Sequence, residues 1–326
     1  MCGGEGRARR FHRRLTTLLP TSLPPLQCVG PNVPYSVMGA ALNQSGNSVF
    51  FSMCEPGQGP VTAPVGRATG NGWRVDEDDG ALWRPILDNI NMNAPLYSYS
   101  GCDEQHGMDG KGCGWNDMGL LMVGAGMTPD QDESHMALWA IMASKLLISV
   151  DPRKFTPHAL ALVSNPELIA IDQDALKLQG QRVSPPASAA RAAADAARIA
   201  AWKRAHLEGG SWRAAGRAGE LLAGGDAGAV PGTEADEALA AGGRAEVWQR
   251  QLAGGAWALL LFNNGLPGAA SQLACAGECW ARMGWGSAQA VAVRDVLARA
   301  DNGTAVGGFS AMVRTNGTVL VRLVKA

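Results

Sequence analysis

No apolar run in this chain approaches the ~20 residues that a membrane-spanning helix requires. An excess of one charge is missing too. Lys and Arg number 28 against 29 Asp and Glu, for a net charge of -1, and no basic face stands out beyond the first residues. Neither a nucleic-acid partner nor a membrane is therefore expected. The seven cysteines form no CxxC pair and no Cys/His cluster at metal-ligand spacing, so no metal site is expected. Acids are almost missing from residues 1–30, and the first aspartate is Asp76. That leader is rich in arginine (Arg7, Arg9, Arg10, Arg13, Arg14), and Pro20 interrupts its one candidate for a signal core. It reads as a disordered leader or a wrongly called gene start, with an organelle transit peptide as the alternative.

With 326 residues, 46% of them hydrophobic, the chain can bury a large core, and its length suggests roughly two domains. From residue 113 to 183 the pattern is one of strands alternating with helices. Leu120, Leu121, Met122 and Val123 make an apolar run of strand length, and residues 146–150 make a second that delivers Asp151. Thr128-Pro129, Thr156-Pro157 and Asn165-Pro166 each set a capping residue before proline at the first helical position. Met136, Trp139, Ala140 and Ala143 follow the first of these at helical spacing. Short loops between such elements indicate βα units on a parallel sheet. Upstream, residues 35–42 read as the end of a helix, 49–53 as a buried strand, 81–90 as a core-facing helix and 92–100 as a short strand. Cys102 and Cys113 bracket an insertion closely enough to pair, and the sequence leaves open whether they do. Residues 184–245 are mostly Ala and Gly and read as a surface insertion without chemistry. After Glu246 the period becomes that of strands. One hairpin signal joins 246–252 to 257–262, and Asn316-Gly317, the strongest short hairpin turn, is expected to join 309–314 to 318–324. Trp248, Trp257, Trp280 and Trp285 are expected in the core.

Several stretches together carry a resemblance: Gly114-Trp115-Asn116-Asp117, the helix 136–143, and Ile169-Ala170-Ile171-Asp172-Gln173-Asp174. They resemble the α-galactosidases of glycoside hydrolase family 27. The resemblance implies an α/β plus all-β chain, with a (β/α)8 TIM barrel followed by an antiparallel β-sandwich. It covers about 32–183 and again about 246 to the end. The expected division is a leader at 1–30, a partial barrel at 31–183, an insertion at 184–245 and a β domain at 246–326. The implied activity is retaining hydrolysis of terminal α-D-galactosyl groups in oligosaccharides or glycoconjugates, with no organic cofactor. A homodimer is an open alternative to a monomer. The resemblance also implies a disulfide between Cys275 and Cys279 and a secreted, vacuolar or lysosomal location, which sequons at Asn43, Asn302 and Asn316 fit.

Carried over residue by residue, Cys54 and Glu55 touch the sugar near its 2-position. Arg74 binds sugar hydroxyls, Asp117 belongs to the pocket wall, and Asp78, four places after Arg74, is the general acid/base. Asp76 and Asp79 are the rivals if the loop register slips. Neighbouring carboxylates raise a carboxyl pKa, which suits a proton donor. The chain departs from the family pattern at Pro56, Gly119, Lys145 and Val150, where the family carries tryptophan, aspartate, proline and asparagine. At 119 the change removes an acceptor, worth roughly 1–3 kcal/mol for each buried group left unpaired. Residues 31–183 give room for about half of the ~250 residues typical of such a barrel, and the resemblance begins near its fifth strand. The family's nucleophile lies in a Lys-x-Asp motif on the fourth strand, and nothing before Pro31 resembles it. A chain without that nucleophile is expected to be inactive alone. The rival readings are an α-N-acetylgalactosaminidase or β-L-arabinopyranosidase, or a non-catalytic sugar-binding or scaffolding remnant.

Overall fold

The computed structural model describes residues 32–54, 63, 66–76, 78–102, 113–184, 244–264 and 270–326. The leader at 1–30 and the interior of the Ala/Gly-rich insertion lie outside them. Helix α1 (Asn32–Gln44) leads into β1 (Ser52–Met53), which pairs parallel with β2 (Gly72–Arg74). Strand β4 (Cys113–Asp117) lies parallel on the other side of β2, with Arg74 opposite Asp117. The short β3 (Gly101–Cys102) closes antiparallel on β4, and Cys102 and Cys113, opposite one another, form a disulfide. Helix α2 (Trp83–Asn93) runs between β2 and β3, and α3 (Pro129–Ile141) follows β4. Thr128 caps α3 in a full capping box with Gln131, and every residue from Ser134 to Ile141 is buried. Short helices α4 (Pro157–Val163) and α5 (Pro166–Asp172) start at Thr156 and Asn165 caps, as their Thr-Pro and Asn-Pro pairs predict.

Asn116 pins β2 to β4 from inside the core. Its side chain accepts from Trp73 Nε1 at 2.5 Å and donates to Leu96 O at 2.8 Å and Gln179 Oε1 at 2.9 Å. A fully satisfied buried amide of this kind fixes register without the cost of an orphaned group. Glycine at 114 is equally required. A Cβ there would lie 2.5 Å from the Trp73 ring.

Three expectations for this part of the chain need correction. Of residues 49–53 only Ser52–Met53 is strand, and Val49 and Phe50 are exposed. Residues 120–123 and 146–150 meet through a single parallel bridge, Leu121 to Ile148, with Leu147 and Ile148 exposed. At both ends, among the described residues, no further strand pairs beyond β1 or beyond Ile148, so these segments have no ladder or covering strand on that side. Positive-φ glycines at 119 and 124 also cut short the run between them. Residues 94–99 form a 3-10 helix rather than a strand, begun by Pro95.

The C-terminal half is antiparallel. Six strands run in the order β10 (Ala300–Val306), β9 (Ala290–Asp295), β12 (Thr318–Lys325), β7 (Trp257–Asn264), β6 (Arg244–Gln251) and β5 (Gln181–Ser184). They face a pair formed by β11 (Gly308–Val313) and β8 (Ser271–Ala276). Strand β7 reads as a continuous apolar run because both of its faces are covered. Leu259 and Leu261 join Trp280, Trp285 and Val291 between the sheets, while Leu260 and Phe262 join Trp139 and Trp248 in the core shared with α3. Trp248, Trp280 and Trp285 are buried as expected, and Trp257 is partly so. The Cys275–Cys279 disulfide is present beside the four-residue α6 (Glu278–Ala281). The expected hairpin at Asn316-Gly317 is not one. β11 pairs with β8 and β12 with β7 and β9, so the turn carries the chain from one sheet to the other. Asn316, at φ 58, supplies the left-handed turn residue in either topology, which is why the dipeptide could not tell them apart. Its carboxamide accepts from Trp83 Nε1 at 3.1 Å and its carbonyl from Ser134 Oγ at 2.7 Å, tying the turn to α2 and α3.

Candidate active site at the strand ends

β2 and β4 are parallel neighbours, so their last residues, Arg74 and Asp117, arrive side by side at the same end of the sheet. Both are buried. Arg74 Nη1 pairs with Asp78 Oδ1 at 3.1 Å, and its Nε donates to Asp76 O at 3.2 Å, so the loop after β2 folds back over its own arginine. Asp117 Oδ1 accepts from Gly119 N at 3.1 Å and Oδ2 pairs with Lys145 Nζ at 2.6 Å. Lys145 also donates to Ser52 Oγ on β1 at 2.8 Å, linking the ends of β1 and β4 across the sheet.

Of the residues singled out in the sequence, the structure brings together Arg74, Asp78 and Asp117. Cys54 follows β1 directly and is exposed, and its carbonyl accepts from Tyr35 Oη at 2.6 Å. Glu55 lies outside the described residues. The two adjacent acids of the loop differ sharply. Asp78 is 93% exposed, whereas Asp79 is 4% exposed and packs against Gly119. Burial pushes the Asp79 carboxyl up to about 6; a backbone hydrogen bond and Arg74 oppose the shift, and the Asp78 and Asp117 carboxylates add to it. The acid whose proton is held toward neutral pH is thus the neighbour of the one chosen by motif spacing. Sequence reading kept Asp79 as a rival but had no signal for its burial, because four consecutive acids carry no periodicity. Lys145 was read only as a departure from the family pattern, and nothing in its spacing announces the pair with Asp117.

Chemically the cluster offers a guanidinium and a carboxylate for hydroxyl groups, an exposed carboxyl, and a second carboxyl with a raised pKa. Among the described residues no group of three or more His, Cys, Asp or Glu could hold a metal ion. A separate groove of about 780 Å³ lies between α5 and the sandwich and shares no residue with the strand ends. Its Arg294 is already committed to Glu167 at 2.8 Å and Asp301 at 3.0 Å.

Comparison with known proteins places this arrangement. A family profile described as Alpha galactosidase A matches residues 29–174, and one described as Alpha galactosidase C-terminal beta sandwich domain matches residues 242–323. Alpha-galactosidase 3 of Arabidopsis thaliana is 34% identical over 158 residues, covering 48% of this chain and 33% of its own length. The probable alpha-galactosidase of Dictyostelium discoideum is 34% identical over 155 residues, covering 47% of this chain and 37% of its own. The chain thus spans about a third of the length of these curated relatives. In fold it is similar to alpha-galactosidase I from Mortierella vinacea (TM-score 0.63, 18% identity, 90% of this chain and 63% of that one). It is also similar to the alpha-galactosidase of Saccharomyces cerevisiae solved with raffinose (TM-score 0.60, 17% identity, 90% and 68%). These neighbours bear out the expected barrel-type α/β part followed by an antiparallel sandwich. With the two profiles together spanning more than two thirds of its residues, the chain belongs to the α-galactosidases of glycoside hydrolase family 27.

Proposed function

We propose that the ends of β2 and β4 form part of an α-galactosidase site that acts on terminal α-D-galactosyl groups of oligosaccharides or glycoconjugates with retention. The observation that carries the reading is the register of β2 on β4, which sets Arg74 and Asp117 side by side with Asp78 on the same guanidinium. Arg74 and Asp117 bind sugar hydroxyls, with Cys54 and Glu55 forming the wall near the 2-position. Asp78 donates a proton to the glycosidic oxygen as the bond to the anomeric carbon breaks, then takes one from the incoming water. A retaining enzyme needs a second carboxylate about 5–5.5 Å from the first, on the other side of that carbon. The reading assigns that nucleophile to no residue of this sequence, since Asp117 is held by Lys145. The division at 1–30, 31–183, 184–245 and 246–326 belongs to the same reading. The two disulfides suit an oxidising, secreted or vacuolar setting, and no helix among the described residues is long and apolar enough to cross a membrane.

The test is direct. The purified chain is titrated calorimetrically with galactose and assayed with an aryl α-galactoside. Galactose uptake that Arg74→Ala abolishes, without turnover by the chain alone, supports the reading. No uptake by the wild-type chain sinks it, and turnover would show that the nucleophile was wrongly left unassigned. Preference for an aryl α-N-acetylgalactosaminide or β-L-arabinopyranoside would redirect the specificity.

A further inference from the structure

None of the roles given above uses the buried carboxyl of Asp79. Its Oδ2 has no hydrogen-bond partner, although the side chain is almost fully enclosed. A Cβ at Gly119 would lie 3.1 Å from both Asp79 carboxylate oxygens and 3.1 Å from Arg74 Nη2. Carboxyl and guanidinium therefore share, over the end of β4, the space that any side chain at 119 would need. Gly119 keeps that space open at φ +109, a conformation glycine adopts freely. The charged groups facing Asp79 are Arg74 from β2, Asp78 from the same loop and Asp117 from β4, the last with Lys145 as its partner.

Resting on the sugar-site reading proposed above, we propose that Asp79 is a positioning residue for Arg74: it fills from the β2 loop the place that Gly119 leaves at the end of β4, and its ionised carboxylate holds the guanidinium in the orientation that receives sugar hydroxyls. Asp78 cannot do this alone. It is exposed on the solvent side of the same guanidinium, where water screens the pair. Asp79 acts from the buried side, where the lower dielectric makes the same charge count for more. A carboxyl buried without a hydrogen-bond partner on one oxygen opposes folding once it ionises. Keeping one beside the arginine is the trade expected of a site rather than of a core.

The full chain is titrated with galactose by calorimetry at pH 5.0 and pH 7.5, as wild type and as Asp79→Asn. At pH 5.0 the wild-type carboxyl carries its proton, because burial raises it to about 6, and resembles the neutral amide. The two affinities are then expected to agree within about twofold, whereas at pH 7.5 Asp79→Asn binds about fivefold or more weakly for want of the buried negative charge near the guanidinium. A ratio of affinities that is the same at both pH values overturns the proposal, since a merely structural side chain would act equally at each. Wild-type chain that takes up no galactose at either pH overturns this proposal together with the sugar-site reading. Equal binding by wild type and variant at pH 7.5 overturns this one only. Near-UV circular dichroism reports whether the variant is folded, and Asp79→Ser, which removes the charge with less bulk, serves if the amide is not tolerated.

Discussion

Replacing Asp79 by asparagine should stabilise the protein, and by more at neutral than at acid pH. The carboxyl is 4% exposed, and its folded pKa of about 6 lies above the ordinary 3.8. A carboxyl raised in this way contributes its stability while protonated. The contribution is complete below about 3.8 and is lost as the pH climbs through about 6. Two pKa units at about 1.4 kcal/mol each put the full loss at about 3 kcal/mol by pH 7.5, with about 1 kcal/mol already gone at pH 4.5. Asparagine has the same shape and no charge to desolvate, so it should recover that loss. At about 2.1 cal/mol/K of unfolding entropy per residue, each kcal/mol shifts the melting temperature of a protein of this size by roughly 1.5 °C, so a rise of roughly 4–5 °C is the upper expectation at pH 7.5. Differential scanning calorimetry of both proteins at pH 4.5 and 7.5 reads the effect. A gain of equal size at both pH values would refute the electrostatic reasoning and leave only a packing change. A loss of stability at pH 7.5 would mean that the ionised carboxylate has partners strong enough to outweigh its burial.

Two further substitutions probe the frame that holds the strand ends. Lys145→Met leaves Asp117 without its cation while Lys145 itself is only partly exposed. It should cost about 1–3 kcal/mol in urea unfolding, less than a fully buried pair would, and Lys145→Arg should lose less. Gly114→Ala puts a methyl 2.5 Å from the Trp73 ring, which cannot move without breaking its bond to Asn116. Overpacking of that kind costs about 1–3 kcal/mol, and an unchanged denaturation midpoint would show that Trp73 does not pack closely on position 114.

Local chemistry was legible wherever one short segment decided it. Thr128, Thr156 and Asn165 announce their helices because a cap and the proline after it act within four residues. The apolar run of β7 announces burial on both faces. What failed depended on neighbours distant in sequence. Phe50 and Ile148 look like core strand residues, yet they are exposed because burial needs a pairing strand that their own sequence cannot supply. Asn316-Gly317 specifies a positive φ and not which sheet the next strand joins. At the site, the family resemblance brought out Arg74 and Asp117, which sit at the ends of paired strands. It could not rank Asp78 against Asp79, because a loop has no periodicity from which to read burial. The pair between Lys145 and Asp117 bridges two segments far apart in sequence and left no trace in either.

The central claim is that galactose binds where β2 and β4 end. Amide chemical-shift mapping of the labelled chain during titration with galactose tests it most directly, with glucose as the control. Galactose should shift the signals of residues 74–79 and 117–119 in a saturable way and leave those of Glu167, Arg294 and Arg322 in the separate groove in place. Saturable shifts confined to that groove, or shifts of equal size with glucose, would contradict the claim.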